Sequence, residues 1–373
     1  MHHSSRSSPL LPRFSGDSAG KVETSMAPEK LSPSGNFTLV EATTSSVIVV
    51  VLSMTLGIIS NMVALFILVN AYSRQRRRTK ATFLLFATSL VVTDFIGHVI
   101  PGALVLRLYI SGNPHPKDPA SSDQMCQFLG GSMVFFGLCP LFMGCAMAAE
   151  RCLGVTRPLL HSSRVTKTRT KLCLTLIWLA ALFVAVLPCF NLGSYTYQDP
   201  GTWCFINVLN NTGKEDVVFV GLFSGLGFAS LAVALVCNTI SGVTLARARL
   251  RRQSCSHHSA KSHDIEMMVQ LVGIMFTSCI CWSPLLIFGL MTVIHSYKGA
   301  TDLSDDRTLL VMGVRLATWN QVLDPWVYIL LRRTVLRKIY LIAKCQAGLR
   351  TNKLGRWEPT SFASSEKKAV NQV

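Results

Sequence analysis

Two ionisable side chains, Arg315 and Asp324, stand inside an otherwise apolar run from Leu309 to Leu331. The run is long enough to cross a bilayer as a helix. An arginine or aspartate near mid-membrane costs about 2.5–3.5 kcal/mol on insertion scales, so each needs a partner or an aqueous cavity. With the orientation derived below, Arg315 lies nearer the outer end and Asp324 nearer the inner end. This gives two polar sites at different depths, one able to meet a ligand from outside and one able to move the inner face. The chemistry is that of recognition.

Other residues of this kind fall in apolar surroundings. Asp94, His98, Pro101, Val105 and Tyr109 are spaced so that they share one helical face. A lone tyrosine or histidine in such a position is ordinarily an interfacial anchor or a satisfied polar contact. Tyr109 gains weight as a ligand contact because Arg315 lies at a similar outer depth. Arg107, at a membrane edge, snorkels to water. Glu150 and Arg151 are adjacent opposite charges at an inner helix end, which by themselves make a plain interfacial anchor. No metal-ligand cluster and no phosphate-cradling glycine loop stands out, so no cofactor is expected. The paired catalytic groups of an intramembrane enzyme, and the duplicated halves or broken helices of a transporter of lipid carboxylates, are not visible either.

The elements that must position these residues follow from composition. The chain has 373 residues, 50% hydrophobic and 15% charged, where a soluble protein carries about 25% charge. Seven apolar stretches occur, at 47–71, 82–110, 126–149, 172–190, 217–245, 267–294 and 309–331. Of the 36 Lys and Arg, 26 fall on one side of these stretches and 8 on the other. The basic side is the cytoplasmic one. The sequence therefore predicts an all-α membrane protein, a seven-helix transmembrane bundle over 46–331 with its N-terminus outside. The net charge of +17 is a sidedness signal, and no nucleic-acid partner is expected.

Residues 1–45, rich in Ser and Pro, read as a disordered extracellular tail. Asn36 and Asn210 head glycosylation sequons, both on the predicted outside. Most of the twelve cysteines lie in apolar spans as small buried hydrophobes. Cys126, at the outer start of the third span, and Cys204, in the following outer loop, face an oxidising compartment, and a disulfide between them is expected. Residues 332–345 read as an amphipathic helix on the inner membrane surface, favouring anionic lipid headgroups. Cys345 is a palmitoylation candidate, and 346–373 reads as a disordered cytoplasmic tail with Thr360, Ser361, Ser364 and Ser365 as phosphosites.

Together with seven spans, several motifs carry a resemblance. They are Asn61 in the first span, Glu150-Arg151-Cys152 ending the third, Trp178 in the fourth, Cys281-Trp282-Ser283-Pro284 in the sixth and Asp324-Pro325-Trp326-Val327-Tyr328 in the seventh. The set resembles the rhodopsin-like G-protein-coupled receptors over nearly all of residues 47–345. The seventh span has no lysine for a retinal Schiff base, which excludes a photoreceptor. Narrower features are similar to the prostanoid receptors: Pro200-Gly201-Thr202-Trp203-Cys204-Phe205, Cys152 in place of the usual tyrosine, Asp324-Pro325 in place of Asn-Pro, and Arg315 followed by Trp319-Asn320-Gln321. The runs from Gly97 to Tyr109 and from Met133 to Pro140 look like the calcium-mobilising E-prostanoid receptors, with the F-prostanoid receptors as the nearest competitor.

The resemblance implies a plasma-membrane receptor for a prostaglandin, most closely prostaglandin E2, coupled to a heterotrimeric G protein of the Gq class, with arrestin and receptor kinases as further partners. It implies that Arg315, Tyr109 and Thr202 clamp the ligand carboxylate, a strong pairing where water is scarce. His98 would meet a ring oxygen, and Trp203, Met133 and Val134 would complete the pocket. Asp94, Asn61, Asn320 and Asp324 would form an inner polar network; many such receptors hold sodium there, but Pro140 stands where a serine ligand is common, so no ion is assigned. Trp282 and Pro284 would form the bend of the sixth span. Glu150, Arg151, Pro325 and Tyr328 would serve G-protein coupling.

Overall fold

A computed structural model describes residues 33–73, 78–111, 119–198, 201–209, 212–252, 261–299 and 304–330. The tail before residue 33, Asn210, the stretch 332–345 with Cys345, and the tail 346–373 lie outside the described residues. Asn36 lies in the first helix and Tyr328 in the last, their side chains outside the described set.

The helices are α1 (Pro33–Ser73), α2 (Arg78–Ser111), α3 (Pro119–Thr156), the short α4 (Pro158–Arg164), α5 (Lys167–Ala185), α6 (Lys214–Arg252), α7 (Lys261–Tyr297) and α8 (Ser304–Leu330). In hydrocarbon every backbone polar group must be satisfied within the chain, which dictates helices. The hydroxyls of Thr55, Thr88, Thr93, Ser230, Thr277 and Thr318 obey the same rule. Each donates to the carbonyl four residues back, at 2.7–3.0 Å. α1 starts at Pro33, within the stretch expected as tail. Among the described residues, six helices are long and apolar enough by composition to cross a membrane. α8, with 27 residues, has the length, and Arg315, Asn320, Gln321 and Asp324 make it the most polar of the seven.

The fourth apolar stretch, expected over 172–190, is not one helix. α5 ends at Ala185 and a 3-10 turn, Leu187–Phe190, follows. Pro188 lacks the N–H that would continue the helix, and Asn191 turns the chain at φ 62°. The chain then forms an antiparallel hairpin of β1 (Tyr195–Gln198) and β2 (Trp203–Ile206), with Tyr197 opposite Cys204.

α3 is the hub of the bundle, packing on α2, α4, α5, α6 and both hairpin strands. Its Leu129, Val134, Leu138, Cys139 and Met143 are at most 0% exposed, while Phe66 of α1 is 71% exposed. Large apolar side chains left on the outside, with both aliphatic and aromatic residues such as Phe219, Phe223 and Trp282 inside, fit a bundle whose solvent is lipid.

Candidate functional site

A cavity of about 240 Å³ opens among α1, α2, α3, α7 and α8 beneath the hairpin. α2 lines it with His98, Pro101, Val105 and Tyr109, and α3 with Met133. The hairpin adds Trp203, α7 adds Trp282, and α8 adds Arg315. Four of the five residues expected to share a face of α2 thus meet at the cavity, and Asp94 does not line it. Tyr109 and His98 stand eleven positions apart, about 16 Å along the axis, so the cavity follows α2 over that length.

Two expected pocket residues do not line this cavity. Val134 is fully buried in the main core. Its neighbour Met133 lines the cavity, and consecutive helical residues point about 100° apart, which separates the two. Thr202 sits in the hairpin turn after Gly201, whose φ is 86°. Its hydroxyl is buried with no hydrogen-bond partner among the described residues, yet Trp203 supplies the wall.

Other lining residues were not anticipated. α1 contributes Val49, Val50, Ser53 and Met54, and the far wall holds Phe205 and Phe223. The last two rings meet edge-on, 6.0 Å between centroids. No sequence signal separates such residues from ordinary lipid-facing or core apolar side chains. Gln321 lines the cavity too, and its Nε2 donates to the Phe136 carbonyl at 3.0 Å. A glutamine in an apolar span also needs a partner, at a smaller cost than a charged group, and was detectable on that ground.

The hairpin that roofs the cavity is held in three ways. Cys126 at the start of α3 is disulfide-bonded to Cys204, Cα–Cα 5.4 Å, as expected. Tyr195 donates its phenol to the Ala185 carbonyl at 2.8 Å. Burial, with a smaller contribution from Cys189, pushes the Tyr195 phenol above the usual tyrosine range and keeps it a donor. Asp216, at the start of α6, accepts from Ser194 Oγ at 2.8 Å, Asn207 Nδ2 at 3.2 Å and the Gly213 backbone N–H at 3.0 Å.

Beneath the cavity lies a polar cluster. Asn61 Nδ2 donates to the Gly57 carbonyl at 2.9 Å and to the Gln321 carbonyl at 3.1 Å, joining α1 to α8. Asn320 Nδ2 donates to Asp324 Oδ2 at 2.8 Å. Asp94 is fully buried, its carboxyl oxygens lack hydrogen-bond partners among the described residues, and Asp324 is within electrostatic reach. His98 connects the levels. Its Nδ1 pairs with the Asp94 carbonyl at 2.9 Å, and a carbonyl only accepts, so Nδ1 carries the proton.

At the basic end, Glu150 Oε2 lies 3.6 Å from Arg151 Nε, and the Arg151 guanidinium sits 3.7 Å above the Phe83 ring. Glu150 Oε1 faces His161 Nε2 at 2.9 Å and accepts from Thr82 Oγ1 at 3.5 Å. This pair is thus tied into α2 and α4 as well. Trp282 and Pro284 sit inside α7 and Pro325 inside α8. Trp178 Nε1 donates to Thr93 Oγ1 at 3.3 Å, linking α5 to α2.

Comparison with known proteins accords with this geometry. The sequence pattern described as "7 transmembrane receptor (rhodopsin family)" matches residues 40–328. The chain is 45% identical over 372 residues to the prostaglandin E2 receptor EP1 subtype of Canis lupus familiaris, covering 87% of this chain and 90% of the relative. It is 44% identical to the Homo sapiens EP1 subtype, covering 84% and 88%. To the prostaglandin F2-alpha receptor of Rattus norvegicus it is 44% identical, covering 87% of each. This likeness places the chain among receptors rather than enzymes: it belongs to the rhodopsin family of seven-transmembrane receptors, multi-pass proteins of the plasma membrane.

Proposed function

We propose that the cavity receives a prostaglandin, with prostaglandin E2 preferred, and that the receptor signals through a Gq-class G protein and intracellular calcium. The observation that carries this reading is the cavity itself. Arg315 and Tyr109 share an otherwise largely apolar chamber with His98, Met133 and Trp203. Prostaglandins are lipids with one carboxylate, a polar ring and two apolar chains, and each part has a matching wall.

In this mechanism the carboxylate pairs with Arg315 and Tyr109 of the cavity, and Thr202, which stands in the roof beside Trp203 and does not line the cavity, joins the clamp only if the roof shifts on binding. The ring lies toward His98 and the chains against Met133 and the aromatic wall. An agonist activates only by binding the open arrangement of the inner ends better than the closed one. Trp282, in the cavity floor, and Pro284 transmit that preference to α7. Opening releases Arg151 from Glu150 and Phe83 toward the G protein, with the basic end on the cytoplasmic side. Receptor kinases and arrestin act afterwards on the C-terminal tail.

The specific competitor is prostaglandin F2-alpha, because a receptor named for it is as similar to this chain as the human EP1 subtype, at 44% identity. Competition binding of both ligands on one membrane preparation decides between them. Tighter displacement by the E-series ligand is expected, and tighter displacement by F2-alpha transfers the assignment. Calcium release without a cyclic AMP rise checks the G-protein class.

A further inference from the structure

A second, smaller cavity lies where α3, α6 and α7 meet and shares no lining residue with the first. Gly144 and Cys145 of α3, Ser230 and Asn238 of α6, and Ser278 and Cys279 of α7 are among its walls. Its volume is about 30 Å³, where one water needs about 10–15 Å³, so it holds a hydroxyl-sized group. It exists partly because Gly144 has no side chain: a Cβ there would meet nothing within 4 Å.

One wall is chemically unfinished. Asn238 is 8% exposed, and its carboxamide oxygen has no hydrogen-bond partner among the described residues. A buried acceptor left in this condition is costly, more so in a membrane where water is scarce. Ser230 cannot supply the missing donor, because its hydroxyl donates to the Leu226 carbonyl at 2.9 Å. The same stretches of α6 and α7 expose Leu235, Phe276 and Ile280, apolar side chains along which a hydrocarbon chain can lie.

We propose that this cleft between α3, α6 and α7 is a second ligand site, for a membrane-dissolved amphiphile whose hydroxyl donates to the Asn238 carboxamide oxygen while its chain lies along α6 and α7. The site stands one helical turn from Trp282, since Cys279 and Trp282 are three positions apart. Occupancy therefore joins α7 to α3 and α6 beside the expected bend.

The test uses the two native thiols in the walls and no agonist. The purified full chain in nanodiscs is treated with a membrane-permeant maleimide, and labelling of Cys145 and Cys279 is followed by peptide mass spectrometry. 1-Octanol is the probe, and octyl methyl ether, which has no donor, is the control at equal membrane concentration. Octanol is expected to slow labelling of both cysteines several-fold, with the exposed Cys189 unaffected, and the ether to do little. Asn238→Leu should erase the octanol protection, and Gly144→Leu, which fills the cleft, should slow labelling without any alcohol. Equal protection by alcohol and ether, or protection retained in Asn238→Leu, overturns the proposal. The alcohol–ether comparison on the unaltered chain decides the matter even where a variant does not fold.

Discussion

His161 Nε2 lies 2.9 Å from Glu150 Oε1, so the short helix α4 is tied to the basic end of α3 by a buried histidine–carboxylate contact. His161 is 5% exposed and its ring rests near Gly154, where a Cβ would come within 3.4 Å. Glu150 therefore has His161 and Thr82 on one oxygen and Arg151 on the other.

Removing His161 should uncouple α4 without disturbing the ligand cavity. His161→Ala is expected to lower agonist-stimulated nucleotide exchange several-fold, with agonist affinity unchanged in membranes lacking G protein. His161→Gln, whose amide can still donate to Glu150, should recover part of the rate. A fall in affinity parallel to the loss of exchange would show that α4 serves folding alone.

The disulfide supports the roof over the cavity. Cys126→Ala and Cys204→Ala should each abolish surface ligand binding, because β2 loses its tether to α3. Loss of one such bridge typically costs about 2–5 kcal/mol in small domains. Radioligand binding at matched surface expression is the measurement, and wild-type affinity in both variants contradicts the expectation.

Arg315→Ala should weaken binding of the acid ligand by about 2–5 kcal/mol, the scale for truncating one partner of a buried charge pair. Arg315→Lys should also lose affinity, since an ammonium does not reproduce the planar fork. Methyl esterification removes the charge from the other side of the pair. Ester and acid should bind Arg315→Ala almost equally, while the unaltered receptor strongly prefers the acid. The four affinities form a cycle that isolates the pair from general damage to the bundle. An acid preference that survives in Arg315→Ala ends the carboxylate-anchor reading.

Gly57 of α1 is pressed against the His98 imidazole, whose ring atoms occupy the space of a Cβ. Gly57→Ala must displace the ring, an overpacking cost of about 1–3 kcal/mol, and should lower both thermal stability and ligand affinity. Gly289→Ala, where a Cβ meets nothing within 4 Å, should be neutral or stabilising by up to about 1 kcal/mol. Equal melting temperatures for the two variants would remove His98 from the α1–α2 contact.

The helix layout was legible because hydrocarbon leaves the backbone no alternative, so an apolar run of sufficient length is already a helix. Its ends were less legible. Pro188 could be read as a helix stop, but the hairpin that follows depends on Gly201, the disulfide and the Asp216 cluster acting together. Tyr195, Asn207 and Asp216 are unremarkable as sequence, and they matter because three distant segments meet there.

What the amino-acid order determined by itself was the set of buried charges and polar groups, because their cost in lipid does not depend on which neighbour repays it. Arg315, Asp324 and Asp94 were visible for that reason, Asn61 through its motif, and the pairing of Cys126 with Cys204 by compartment. The tertiary structure alone decided direction and partnership. It turned Met133 into the cavity and Val134 into the core, gave Glu150 to His161 as well as Arg151, and left Asn238 facing a second cleft. Such choices depend on helix rotation and on close packing between segments far apart in sequence, and neither is encoded in any one span.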